Sequence, residues 1–225
     1  MAIKLVVFDM AGTTVKDEDY VGKAFQEAML KYGYHVSIEE INPLMGYKKT
    51  VAISMMLEKL EPIKGKVTNE LMEAIHDAFV AGMLNFYSTS DKIEALSYAE
   101  ETFHKLRVKG IKVALNTGFS KDIANVIIDR LKWRDKIDAL VASDEVENGR
   151  PSPDMIRKIM KQLAIHDPKE VAKVGDTEVD INEGKNVGCL YSIGITTGAF
   201  TEEELQPYEP THIINRIDEI INIVA

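Results

Sequence analysis

The sequence predicts an α/β fold: a parallel sheet flanked by helices, with a wholly helical unit inserted after the first strand. Three observations carry this prediction. Ile3-Lys4-Leu5-Val6-Val7-Phe8 is nearly continuous in β-branched and aromatic residues, the texture of a strand buried on both faces of a parallel sheet. From residue 20 to residue 86 the pattern is amphipathic and helical, with no strand signal to interrupt it. From residue 95 onward helix and strand alternate, which implies right-handed crossovers between parallel strands.

Taken in order, the first strand ends at Asp9 and is followed by the turn Gly12-Thr13-Thr14. Helices are predicted over residues 20–32, 37–45, 50–60 and 68–86, with Ser37 and Glu40 spaced as a capping box. Buried strands follow at 111–116, 137–142, 171–175, 190–195 and 212–214, separated by helices near 95–109, 121–132, 153–163 and 180–186. Thr201 and Glu204 form a second capping box before a short helix. The expected organisation is a core of residues 1–15 and 89–225 and a helical unit of residues 16–88. No internal repeat or low-complexity segment is present.

Composition bounds the function. The chain has 225 residues, 45% hydrophobic and 28% charged, the balance of a globular rather than a disordered protein. With 27 Lys and Arg against 36 Asp and Glu, the net charge of -9 repels nucleic-acid backbones and anionic lipid, so neither is expected as a partner. No apolar run reaches the length of a membrane span; residues 220–225 are short and interrupted by Asn222. The single cysteine, Cys189, cannot form an internal disulfide, and strand residues from Ile3 leave no room for a signal sequence, so a cytoplasmic location is expected.

Ligands of open parallel sheets bind at the carboxyl ends of the strands. Those ends carry Asp9, then Asn116 and Thr117 with Gly118, then Asp176 and Asp180, and before the last pair comes Gly149-Arg150-Pro151-Ser152-Pro153. Carboxylates from non-adjacent strands suit a hard cation with open positions, which favours magnesium, and a metal with Arg150 would hold a dianionic phosphoryl group. Each feature also reads as ordinary structure. Asp9 could cap a turn, Thr117-Gly118 could be a strand-to-helix turn, and Ser152-Pro153 could start a helix. Their order and common location favour the functional reading.

That ordered set resembles the haloacid dehalogenase superfamily, whose motifs are a strand ending in Asp-x-Asp-x-Thr, a strand-end Ser or Thr, a basic residue, and Gly-Asp-x-x-x-Asp. The resemblance spans Ile3 to Asp180. It implies a Rossmann-like parallel-sheet core with residues 16–88 as a mobile cap and Mg2+ as cofactor. Asp9 would be the nucleophile that forms an aspartyl-phosphate, Arg150 the cation, and Thr117 with Asn116, Gly118, Gly12 and Ala11 the phosphate-binding set. The metal would be held by Asp9, the backbone carbonyl of Ala11 and Asp176, with Asp180 behind them.

Ala11 departs from the pattern: most family phosphatases place there the acid that protonates the leaving alkoxide, and a methyl group cannot. General acids contribute about 10² to 10⁴ in rate, so an ordinary ester phosphatase built this way is handicapped. Asp9-Met10-Ala11-Gly12-Thr13-Thr14 is instead similar to the first motif of the phosphonoacetaldehyde hydrolase branch, as are Arg150 in place of Lys and Met45-Gly46-Tyr47-Lys48-Lys49, where that branch has Met-Gly-x-x-Lys. The resemblance implies that Lys49 forms a Schiff base, with Met45 and Gly46 at the substrate. A neutral amine is required for that, and Lys48 and closure of the cap are expected to lower the Lys49 pKa. By itself Lys48-Lys49 reads as a solvated pair at a helix start. Two positions depart from the branch, Ala52 for its His and Phe119 for its Tyr.

The sequence thus predicts a hydrolase of phosphonoacetaldehyde or a related 2-oxoalkyl phosphonate. Two alternatives stand beside it: a phosphatase of a small monoester of the phosphoglycolate type, and a non-catalytic phosphate-binding regulatory protein. The branch also suggests a homodimer through the caps, although Met55, Met56 and Met83 read equally as intracap core. Asp19 and Tyr20, near the hinge between core and cap, read as a solvated helix start, with a position facing the substrate as the alternative, and His35, His76, His104, His166 and His212 read as structural.

Overall fold

The computed structural model describes residues 2–61 and 66–224. Strand β1 (Leu5–Phe8) is buried along its whole length because it lies between β2 (Lys112–Thr117) and β4 (Val171–Gly175), and side chains on both of its faces are covered. With β3 (Ala139–Ala142), β5 (Tyr191–Ile195) and β6 (His212–Ile214) these form one parallel sheet in the order β3-β2-β1-β4-β5-β6. Phe8 is in register with Leu115 and Val174, so β1, β2 and β4 end side by side and present their next residues along one edge. The order reverses at β1, the position at which a crevice opens in such sheets.

Helices α5 (Ala99–Val108), α6 (Lys121–Leu131), α7 (Asp154–Gln162) and α8 (Glu178–Val187) connect the strands. Val6, Phe8, Val113 and Leu115 face one core, shared with Phe103 and Ile123; Leu5, Val7 and Ala114 face the other, shared with Met155, Ile156 and Ile159. Short α9 (Glu202–Leu205) keeps the predicted Thr201 and Glu204 capping box.

Between β1 and α5 the regular elements are all helical: α1 (Tyr20–Lys31), α2 (Ile38–Ile41), α3 (Lys49–Leu60) and α4 (Asn69–Thr89). Ser37 and Glu40 cap α2 reciprocally as expected. The helix predicted over 37–45 stops early: α2 passes into a 3₁₀ turn at Asn42–Leu44 that contains Pro43, and Gly46 then takes φ 81°. Lys49, three residues beyond Gly46, is buried. The helix predicted from 95 starts only at Ala99, because Ala95 bridges Val15 and the Leu96 amide donates to the Thr14 carbonyl at 2.8 Å, tying the two ends of the insertion together. Met56 and Met83 are buried core, whereas Met55 is exposed. Among the described residues no helix is long and apolar enough to cross a membrane.

Candidate active site

Asp9 follows β1, and its amide donates to the Val174 carbonyl at 2.9 Å, which fixes its carboxylate at the centre of the strand edge. Arg150 Nη1 donates to Asp9 Oδ1 at 2.6 Å and also to Asp180 Oδ1. Under this pair lies a second cation. Lys173 Nζ sits 2.9 Å from Asp180 Oδ1 and 3.5 Å from Glu183 Oε2, and donates to Asn116 Oδ1 at 2.7 Å. The Asn116 amide returns bonds to both Glu183 oxygens at 2.9 and 2.8 Å. Burial alone would raise Asp180, but Arg150 and Lys173 outweigh it and hold its pKa at about 2.

Asp176 has a different environment. Its oxygens accept the Thr13 hydroxyl at 3.2 Å and the Ala199 amide at 2.7 Å, and among the described residues it forms no ion pair. Burial first, then the charges of Asp9 and Asp180, raises it well above the usual carboxylate range. Asp9, Asp176 and Asp180 each offer a carboxylate oxygen, all within 4.8 Å of one another. A buried trio of hard oxygens, one carboxylate lacking any counter-cation, fits a divalent ion such as magnesium.

The turn after Asp9 is shaped around Asp176: Gly12 has φ 80°, and a Cβ there would lie 2.6 Å from Asp176 Oδ2. Ala11, just before Gly12, lines the cavity. Thr117 and Gly118 line the same cavity, as do Met45 and Gly46. Asn116 does not. Expected to bind phosphate, it is instead held beneath the cavity by Lys173 and Glu183, because alternate residues of β2 point to opposite sides of the sheet. Asp180 likewise stands behind Arg150 rather than on the wall.

Lys49 heads α3 and is 4% exposed, so it is not half of a solvated pair. It lines the cavity with Asp9 and Arg150 and makes no hydrogen bond or ion pair with any described residue; Phe79 lies 5.8 Å from its ammonium. Burial, aided by the Arg150 charge and opposed by Asp9, Asp17 and Asp176, pulls its pKa down to about 8. Lys48, expected to drive this shift, is not among its main causes; after burial, Arg150 is. Ala52, one turn along α3, is packed in the core, and Phe119 lines the cavity with its ring 6.1 Å from that of Tyr87.

The segment before α3 presses on the strand ends. A Cβ on Gly118 would lie 2.6 Å from the Tyr47 carbonyl oxygen, one on Gly149 2.8 Å from Lys48 Cβ, and one on Gly46 2.5 Å from Thr177 Oγ1. Tyr47 donates its hydroxyl to Glu178 Oε1 at 2.7 Å. The result is a cavity of about 180 Å³, room for a small molecule only. Sequence reasoning missed Lys173, Glu183 and Asp17. A lysine in the middle of an otherwise apolar buried strand was the available signal for the first, whereas Asp17 was concealed in the charged run Lys16-Asp17-Glu18-Asp19.

A parallel sheet whose central strand ends in a buried Asp, faced by a basic residue and two further acids, defines a haloacid dehalogenase-like hydrolase. The family model for haloacid dehalogenase-like hydrolases matches residues 6–218, and the chain belongs to that family. Among curated relatives, a phosphonoacetaldehyde hydrolase of Bacillus mycoides is 28% identical over 240 residues, covering 99% of this chain and 88% of that one. A phosphonoacetaldehyde hydrolase-like protein from Oleispira antarctica shares the fold with a TM-score of 0.87 at 22% identity, covering 100% of this chain and 92% of the other. A predicted phosphoglycolate phosphatase from Haemophilus somnus does so with a TM-score of 0.80 at 16% identity, covering 99% and 98%.

Proposed function

We propose that this hydrolase cleaves the carbon-phosphorus bond of phosphonoacetaldehyde or a related 2-oxoalkyl phosphonate, with residues 16–88 acting as a cap that closes Lys49 over Asp9. The observation that carries the reading is the placement of an unpartnered lysine amine, pKa about 8, in one small cavity with the strand-end carboxylate. An amine of that kind adds to a carbonyl at neutral pH.

A carbon-phosphorus bond has no bridging oxygen to protonate, so its carbon must be made electron-accepting. Lys49 Nζ condensing with the aldehyde β to phosphorus supplies an iminium for that purpose. The Asp9 carboxylate then attacks phosphorus in line, the carbon-phosphorus pair moves to carbon and yields an enamine, and water later hydrolyses the aspartyl-phosphate. Arg150 holds the phosphoryl oxygens; its Nε is buried without a hydrogen-bond partner, a donor free for an anion. Thr117, Gly118 and the Gly12 turn complete the cradle. Asp9, Asp176 and the Ala11 carbonyl would hold magnesium, with Asp180 orienting Arg150 behind them; magnesium would offset charge on the phosphoryl oxygens. The Ala11 methyl is no handicap in this chemistry, since no alkoxide departs.

The rival reading, a phosphatase of a small carboxylated monoester, draws support from fold likeness alone. Asp17 and Asp19 on the cavity lining oppose it, because a substrate carboxylate would meet two acids, with Lys49 the one lining cation not already tied to Asp9. Phosphate release from a panel of phosphonates and phosphate esters, with and without magnesium, tests the proposal. Turnover of 2-oxoalkyl phosphonates with borohydride-trapped substrate on Lys49 is expected. Ester turnover with an unmodified Lys49 would overturn it.

A further inference from the structure

Forming an iminium requires a proton donor, because the hydroxyl of the carbinolamine departs as water only when protonated. No histidine lines the cavity, and Ala52 presents a methyl group to the core. Two carboxyls on the helical side do line it, the exposed Asp19 and the more deeply set Asp17. Asp17 lies just before α1, partly buried; its Oδ1 accepts the backbone amides of Tyr20 at 2.8 Å and Val21 at 3.4 Å, and its Oδ2 bonds to no described residue. One oxygen is therefore fixed by the helix start while the other has no partner among the described residues, on a residue that lines the cavity Lys49 shares.

We propose that Asp17 is the catalytic acid that dehydrates the carbinolamine on Lys49, an inference that rests on the Schiff-base reading above. Lys49 Nζ, neutral, adds to the aldehyde carbon, and proton transfer from nitrogen to oxygen gives the neutral carbinolamine. The Asp17 carboxyl then gives its proton to the hydroxyl oxygen, the carbon-oxygen bond breaks, water leaves, and the nitrogen lone pair forms the iminium. Asp17 ends as a carboxylate and Lys49 as the cation, so charge and protons balance. The protonated form is available because burial raises the Asp17 carboxyl above its usual range, outweighing its two backbone hydrogen bonds. In the reverse direction, once the enamine carbon has taken a proton from solvent and become an iminium, the carboxylate takes a proton from the water that hydrolyses it.

Acetaldehyde, which carries no phosphorus and cannot turn over, isolates this step. Wild type and Asp17→Asn are incubated with it for varied times, quenched with borohydride, and the adduct at Lys49 is quantified by peptide mass. Asn keeps the acceptor for the Tyr20 and Val21 amides, and Asp17→Ser serves as a second variant that retains an acceptor without a carboxyl. An acid speeds both directions equally, so both variants are expected to approach the wild-type plateau of adduct about 10² to 10⁴ times more slowly. A variant rate equal to wild type overturns the inference. So does a lowered plateau reached at the wild-type rate, which would mean that Asp17 only positions Lys49. Absence of any Lys49 adduct in wild type would instead overturn the parent reading, so the two failures are distinguishable.

Discussion

On the strand-end side of the cavity Arg150 spans Asp9 and Asp180, and Lys173 spans Asp180 and Glu183; on the helical side Lys49 has no ionic partner among the described residues. Both sides are buried, yet the two lysines fare differently. Lys173 is surrounded by acceptors that hold its ammonium in place, whereas Lys49 faces a phenyl ring and a cationic Arg150, and its pKa falls to about 8. In the proposed reaction pairing fixes the groups that hold the dianion. Withholding a partner suits Lys49 to the nucleophile's role proposed for it, because about a tenth of an amine with that pKa is neutral at pH 7, against well under a thousandth for a free lysine.

Removing the nucleophile on the paired side is the largest expected effect. Asp9→Asn should cut phosphate release by on the order of 10⁵ in kcat, because no aspartyl-phosphate forms. Acid-quenched gels with a radiolabelled phosphonate should lose the phosphoprotein band. On the unpaired side, Lys49→Arg should cut phosphonate turnover by on the order of 10⁴, since a guanidinium does not condense with aldehydes. If instead the variant turns over the phosphonate at a wild-type rate, the contrast between the two sides has no catalytic meaning.

The same contrast gives a pH dependence with a definite sign. Lys49 must be neutral to attack, so where addition of the amine, rather than the acid-assisted dehydration, limits the rate, kcat/KM for the phosphonate should rise about tenfold per unit as pH climbs from 6 and level off near 8. A profile that keeps rising past pH 10 would mean an unshifted lysine.

The strand-end side was legible in position: Asp9, Thr117 and Asp176 sit where β1, β2 and β4 stop, whereas Arg150 in a loop and Asp180 in α8 are brought beside them by tertiary packing. Lys49 was singled out through the resemblance carried by Met45-Gly46, and the structure buries it on the cavity. Lys173, Asn116 and Asp17 were not assigned correctly, because each depends on which way a side chain leaves its backbone and what tertiary packing puts there. The helix at 37–45 failed for a local reason, a Pro-containing turn that the periodicity concealed, and the start at Ala99 for a distant one, the pairing of Ala95 with Val15.

What joins the two sides is the segment Gly46-Tyr47-Lys48. Gly46→Ala would require φ 81° of a residue with a Cβ and place that atom 2.5 Å from Val179 Cγ2. Strain of about 1 to 3 kcal/mol should open the segment and cut kcat/KM by about 5- to 150-fold. A crystal structure of the variant with unchanged contacts between this segment and Thr177 would break the link between closure and rate.

The smallest effect is expected at Tyr47, whose hydroxyl binds Glu178 at the first residue of α8. Tyr47→Phe removes one hydrogen bond to a partly exposed carboxylate and leaves the ring in place, a loss of about 1 kcal/mol, or about fivefold. Because Tyr47 holds the helical side against the strand ends without reaching the cavity, the loss should fall on KM and leave kcat unchanged. Lys49 would then still be trapped to the wild-type extent once substrate saturates. A fall in kcat at constant KM would place Tyr47 in the chemistry itself, and the helical side would then contribute more to the reaction than a single unpartnered amine.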